Sequence, residues 1–318
     1  MRQKYLKMSI PARTVEVMIN SLSDNTYRQY DTCIRPWLEF CRQNDYDYSD
    51  TNVIVILDFL TKVFDKGAKY GTINSYKSAL SLLFPNLLDD YRIKKFMKGV
   101  FRSRPTQPKY NMTWDTDTVL SYLSEQWPHE NLDLETLSKK TLTLLALVTA
   151  HRVQTLSQIK ISNINVNNPN LITIKIPDLI KTSRPNLSQP FLKLPFFSEN
   201  PSICPATCLK DYINKTNSIR ETNNDYLFIS YKRPYKKLSS QRLSHWIKET
   251  LQKSGIDITI FSAHSTRHAA TSRANRAGVN IDVIRSTAGW SQSSATFAKF
   301  YNREIINDNF ARSILESV

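Results

Sequence analysis

Hydrophobic positions fall at helical spacing through most of the first hundred residues. From Ser23 to Cys41 the pattern Tyr27, Tyr30, Ile34, Trp37, Leu38, Cys41 marks one face of a helix, which Ser23 or Asp24 can cap. Val53 to Phe64 is apolar along one side, with Asp50 or Thr51 as its expected cap. A third helix is predicted over Tyr70 to Phe84, ending before Pro85, and a fourth over Asp89 to Phe101. Amphipathic helices joined by short connections predict a small helical bundle.

The periodicity then lapses. FRSRPTQPKYNMTW carries two prolines and several basic residues, the composition of a linker. This divides the chain into a helical domain over 1–104, a linker over 105–114 and a second domain over 115–318. The linker's positive charge suits a segment lying along a DNA backbone, and a plain solvated connection is equally consistent with it.

Beyond it, helices are predicted over 116–127 and 134–149, then two short strands. LITIKI alternates from Leu171, and FLKL follows from Phe191, with the hairpin-like loop PDLIKTSRPNLSQP between them. Helices return over 205–215, 239–253 and 265–277. The fold class is therefore mainly α with a small antiparallel sheet, an α+β arrangement.

Charge changes this picture. Lys plus Arg total 43 against 28 Asp plus Glu, a formal net of +15. Such an excess points to an anionic partner, and nucleic acid is the leading one, because neutralised phosphates release counterions. The four cysteines, Cys33, Cys41, Cys204 and Cys208, are sparse and fit a reducing compartment better than a disulfide framework. The CPATC pair has no second ligand pair at zinc spacing, so no metal is expected. No apolar run has the length of a membrane span, and no secretory signal opens the chain, which leads to an expectation of a nuclear or cytoplasmic protein with no membrane partner.

The chemistry concentrates in SAHSTRHAATSRANRAGVNIDVIRSTAGWSQSSATFAKFYNR, from Ser262 to Arg303. His264 and Arg267 share a face at a helix start. That helix runs through small residues to Gly278, a left-handed cap. Asn280 caps a second helix that ends at Gly289, just before Trp290, and Ser293 or Ser294 can cap a third that carries Phe297, Phe300 and Tyr301. Each chemical group suits a phosphodiester. A guanidinium clamps two phosphate oxygens, imidazole and indole donate further hydrogen bonds, and a phenol can attack phosphorus and hold a covalent intermediate. Taken singly, each has a plainer reading: His264 as a helix-start residue, Trp290 as core, His268 as a supporting or packing side chain.

The order H-S-T-R-H, then A-G-W, then a tyrosine eleven residues after the tryptophan, resembles the tyrosine recombinases, with an R-A-G-V string similar to the Cre-type members. The resemblance requires an upstream Arg and Lys, and Arg152 after LTLLALVTAH and Lys181 in IKIPDLIKTSRP match them. Lys175 and Arg184 flank Lys181 and could serve in its place. The set it implies is Arg152, Lys181, His264, Arg267, Trp290 and Tyr301, with no cofactor. Where the family has an acidic residue three places after the first Arg, Thr155 stands here. Arg-Val-Gln-Thr-Leu is similar to recombinases of eukaryotic mobile elements such as cryptons, and Cys204 and Pro205 resemble a structural segment of the family.

The resemblance implies DNA strand cleavage and rejoining in site-specific recombination or integration. Tyr301 would form a 3′-phosphotyrosyl link, His264 would act as base and Lys181 as general acid, and the two arginines would stabilise the phosphorane. It also implies a homotetramer on double-stranded DNA, monomeric in its absence. The amphipathic tail, with Ile305, Ile306, Phe310, Ile314 and Leu315, would dock on a neighbouring protomer or fold back on its own domain. Two other readings remain open: a type IB topoisomerase-like relaxing enzyme and a domesticated, non-catalytic DNA-binding protein.

Overall fold

The computed structural model describes residues 2–106, 110–185, 188–290 and the backbone of 304–305. The chain divides into two compact units, residues 1–107 and 108–318.

The first unit is all helical: α1 (Arg2–Lys7), α2 (Ala12–Ile19), α3 (Asp24–Gln43), α4 (Val53–Asp65), α5 (Tyr70–Ser81), α6 (Pro85–Leu88) and α7 (Tyr91–Ser103). Ser23 caps α3 by accepting from the Thr26 amide. α4 is capped by Asn52, which accepts from the amides of Ile54 and Val55, and not by Asp50 or Thr51. The cap must directly precede the first helical residue, and Asn52 holds that place. The expected helix to Phe84 stops at Ser81, and Pro85 starts α6 because its fixed φ and missing N–H suit a first-turn position. Trp37 is fully buried and meets the ring edges of Phe59 and Phe84 at 5.2 and 5.8 Å. Arg104 closes the unit, donating to the carbonyls of Phe64 and Ala68 with its guanidinium 3.8 Å over the Phe64 ring.

The second unit is built round one buried helix. It contains β1 (Met112–Thr113), α8 (Thr116–Ser124), α9 (Leu134–Thr149), α10 (Val153–Leu156), β2 (Ile164–Asn168), β3 (Leu171–Lys175), β4 (Phe191–Pro195), α11 (Pro205–Asn217), α12 (Ser240–Lys253), α13 (Ser265–Arg276), α14 (Ile281–Thr287) and β5 (Glu304–Ile305). Nearly every side chain of α9 is buried, including Lys139 and Lys140. Lys139 pairs with Glu135 on its own helix and Glu249 on α12, and so ties the two helices together. The central place of α9 matters because its C-terminus delivers the first arginine of the candidate site.

β2, β3 and β4 form an antiparallel sheet in sequence order. Ile172, Ile174, Leu192 and Leu194 fill its core face, as strand alternation requires. β2 was absent from the sequence reading. It is an edge strand whose INVNN residues are mostly exposed, so it lacks a hydrophobic alternation to read.

Residues expected to close the linker belong instead to the second unit's core. Tyr110 and Trp114 are buried there, and β1 pairs in parallel with β5.

Candidate active site

The site is assembled where α9 ends. Ala150 follows the helix in the left-handed conformation, at φ 49°. This reverses the chain direction and presents His151 and Arg152, and Arg152 then caps α10 with its backbone in an extended conformation. Thr155, at the place where the family has an acidic residue, is buried in that short helix.

Arg267 comes from the first turn of α13. It is only 1% exposed, which is rare for a guanidinium and requires fixed partners. Its Nη1 donates to the Ala150 carbonyl oxygen at 2.6 Å, and its Cζ lies 4.2 Å from the centre of the Trp290 ring. The ring face is the negative side of the indole quadrupole, so the contact holds the cation as well as packing it. Trp290 is reached through Gly289, whose φ of 67° ends α14.

His151 lies between these parts, and the sequence reading passed over it. It is buried, and its pKa is pushed down to about 3, first by burial and then by the positive charges of Arg267 and Arg152. Both guanidiniums therefore act on one neutral imidazole. A Cβ built on Gly289 would stand 2.9 Å from His151 Cε1, so glycine is needed for the close approach as well as for the turn. The available signal was a histidine placed directly before the predicted arginine, after a long apolar helix.

His264 precedes α13 and is exposed, one turn from Arg267. Its ring meets that of His268 edge-on at 5.6 Å. It opens onto a groove of about 710 Å³ whose lining includes Ser239, Arg242, His245, Lys248 and Ser262. Arg242 and Lys248 give this groove a basic wall, and neither was singled out from the sequence.

The structure thus stacks Arg267 on Trp290 and ties it to Ala150, two residues before Arg152, with His264 at the near end of the same helix as Arg267. It does not bring Lys181 to them. That residue is exposed in the turn after β3, where Ser183 organises the chain by accepting from the Ile180 amide and donating to Gln189. Tyr301 lies outside the described residues, as do Ser293, Ser294 and the tail beyond Ile305.

Cys204 caps α11: its sulfur accepts from the Thr207 and Phe197 amides and the Thr207 hydroxyl. Among the described residues no group of three or more His, Cys, Asp or Glu side chains could hold a metal ion, and no helix is long and apolar enough to cross a membrane.

Comparison with known proteins places the fold and the family. The Phage integrase family model matches residues 126–305, which takes in α9, the sheet, α13 and Trp290. Among solved structures, the Tn1549 transposon integrase in complex with transposon right end DNA is similar at 16% identity, covering 100% of this chain and 98% of that one, with a TM-score of 0.62. The XerH site-specific recombinase bound to palindromic difH substrate, in its post-cleavage complex, is 15% identical over 91% of this chain and 78% of that one, with a TM-score of 0.60. A lambda integrase dimer bound to a COC′ core site is 18% identical over 92% and 94%, with a TM-score of 0.53. At these identities the likeness speaks to the fold. No curated protein matches the sequence. Because the family match spans more than half of its length, the chain belongs to the phage integrase family of tyrosine recombinases.

Proposed function

We propose that this protein is a site-specific DNA recombinase, or integrase, that breaks and rejoins duplex DNA through a covalent link to Tyr301. One observation carries the reading. Arg267 is fixed between the Ala150 carbonyl and the Trp290 ring before any substrate arrives, and Arg152 follows Ala150 by two residues. A pre-positioned guanidinium, with a second arginine close by in the chain, matches the charge that develops on the oxygens of a pentacoordinate phosphorus.

In this reading the Tyr301 oxygen attacks phosphorus in line, and the bond to the 5′-oxygen breaks. A phenol titrates near pH ~10, so it must lose its proton to a base, and exposed His264 beside the groove takes that role. Lys181 supplies the proton that makes the leaving oxygen a 5′-hydroxyl. Its exposed turn would have to close on the DNA for this to happen. Reversal of the same steps by another strand's 5′-hydroxyl gives exchange. The covalent link retains the bond energy, so no nucleotide is consumed.

The partner in this account is double-stranded DNA, consistent with the net charge of +15 and the basic groove. Several of the similar solved structures are complexes with DNA, among them a lambda integrase tetramer bound to a Holliday junction, and we extend both DNA and a tetramer on it to this chain. β5 pairs within its own domain, and the residues beyond Ile305 are the segment we assign to docking between protomers. The four free, buried cysteines support a reducing setting inside the cell, the nucleus in a eukaryotic host.

The test is strand exchange. Two differently labelled duplexes bearing the element's terminal sequences are incubated with the protein, beside a supercoiled plasmid. Recombinant product supports the proposal, whereas relaxation without exchange replaces it with a topoisomerase-like activity. Salt-dependent binding with neither product replaces it with a non-catalytic role.

A further inference from the structure

Resting on the recombinase reading, we infer that the segment Tyr110–Trp114, where the chain enters its second unit, is a positioning element for the active site. Three separate contacts converge on the start of α13. The Trp114 indole donates to the Ser265 hydroxyl at 2.8 Å, in a fully buried bond, and Ser265 in turn donates to the Ser262 carbonyl at 2.7 Å. The Tyr110 ring meets His268 edge-on at 5.2 Å, and His268 meets His264 in the same manner at 5.6 Å. The Tyr110 hydroxyl also shares a 3.3 Å hydrogen bond with Ser262. Ser262, Ser265 and His268 enclose His264 on both sides in the chain, so the entry segment braces the backbone and the ring of the proposed base.

A fourth contact lies away from α13: β1 pairs with β5, with Met112 registered with Glu304 and Thr113 with Ile305. β5 begins three residues after Tyr301 in the sequence, and three residues reach at most about 10 Å. One short strand therefore holds both the helix of the base and the stretch that follows the nucleophile. Tyr110 and Trp114 touch neither DNA nor a reacting atom in this account, and they act only through His264 and β5.

This predicts a specific kinetic pattern. In Trp114→Phe the ring remains and the bond to Ser265 is lost. Cleavage of a nicked suicide duplex at saturating DNA should slow about tenfold, the worth of one hydrogen bond, with DNA affinity and melting temperature close to wild type. Ser265→Ala should slow it by a similar factor, and the double variant should be no slower than either single one. Tyr110→Phe, which loses the bond to Ser262 but keeps the ring, should slow cleavage less than Tyr110→Leu, which also removes the edge contact to His268. Multiplicative loss in the double variant, full activity of Trp114→Phe and Tyr110→Leu, or a slowing matched by lost folding or affinity overturns the inference. Wild-type protein that forms no covalent product would instead overturn the recombinase reading on which it rests.

Discussion

Arg267 Nη1 donates at 2.6 Å to the carbonyl oxygen of Ala150, a residue 117 positions earlier that holds a left-handed backbone. The bond joins the first turn of α13 to the end of α9 and so fixes the distance between the two arginine-bearing segments. For a non-glycine residue that backbone costs roughly 1–2 kcal/mol. Ala150→Gly should remove much of it and raise the melting temperature by about 2–4 °C, as expected for a gain of about 1 kcal/mol in a domain of this size. An unchanged or lower melting temperature, read by calorimetry, would show that the Ala150 methyl group contributes more by packing than its backbone loses.

The same bond makes Arg267 more than a charge. Arg267→Lys keeps the cation but loses the planar guanidinium that donates to the Ala150 carbonyl and lies over the Trp290 ring. The cleavage rate at saturating DNA should fall by about 10²–10³, while binding changes little. Equal loss of rate and affinity, measured by single-turnover cleavage and by DNA titration, would assign the residue to binding instead.

Gly289 and His151 form a second tight relationship. A methyl group on Gly289 would enter the space of His151 Cε1 at 2.9 Å, at a φ of 67° that already disfavours alanine. Gly289→Ala should destabilise the second unit by about 2–3 kcal/mol in denaturant melts. Adding His151→Ala should recover part of that loss, since it removes the steric conflict but not the backbone strain.

His151 also predicts a pH dependence. Its folded pKa, about 3, lies below the ordinary value, so the unfolded chain binds a proton that the folded one refuses. Stability is complete above about pH 6.5 and is lost as pH falls from there toward 3, at up to about 1.4 kcal/mol per unit. His151→Gln should flatten that part of the profile. An acid limb of unchanged slope in the variant would assign it to other groups.

The helices were legible because their apolar faces repeat at helical spacing, while Arg152, His264, Arg267 and Trp290 were singled out by the resemblance of their order to the tyrosine recombinases, and the structure places them at or beside element ends. Three parts were not legible. β2 is an exposed edge strand without alternation. Tyr110 and Trp114 sit among prolines and basic residues, and the linker composition masked two aromatics that are buried against α13. His151 was hidden because its role depends on Gly289, 138 positions later, and on two guanidiniums that only the folded chain brings near it. Lys181 was singled out by the family resemblance, and the described structure keeps it exposed in the turn after β3.

The most direct test of the central claim is covalent capture. Purified protein is incubated with a nicked, end-labelled duplex carrying the element's terminal sequence and resolved on a denaturing gel beside Tyr301→Phe, with the adduct peptide located by mass spectrometry. The account predicts a protein–DNA band with wild type, phosphotyrosine at Tyr301, and no band with the variant. A band that persists in Tyr301→Phe, or an adduct at another residue, would contradict it.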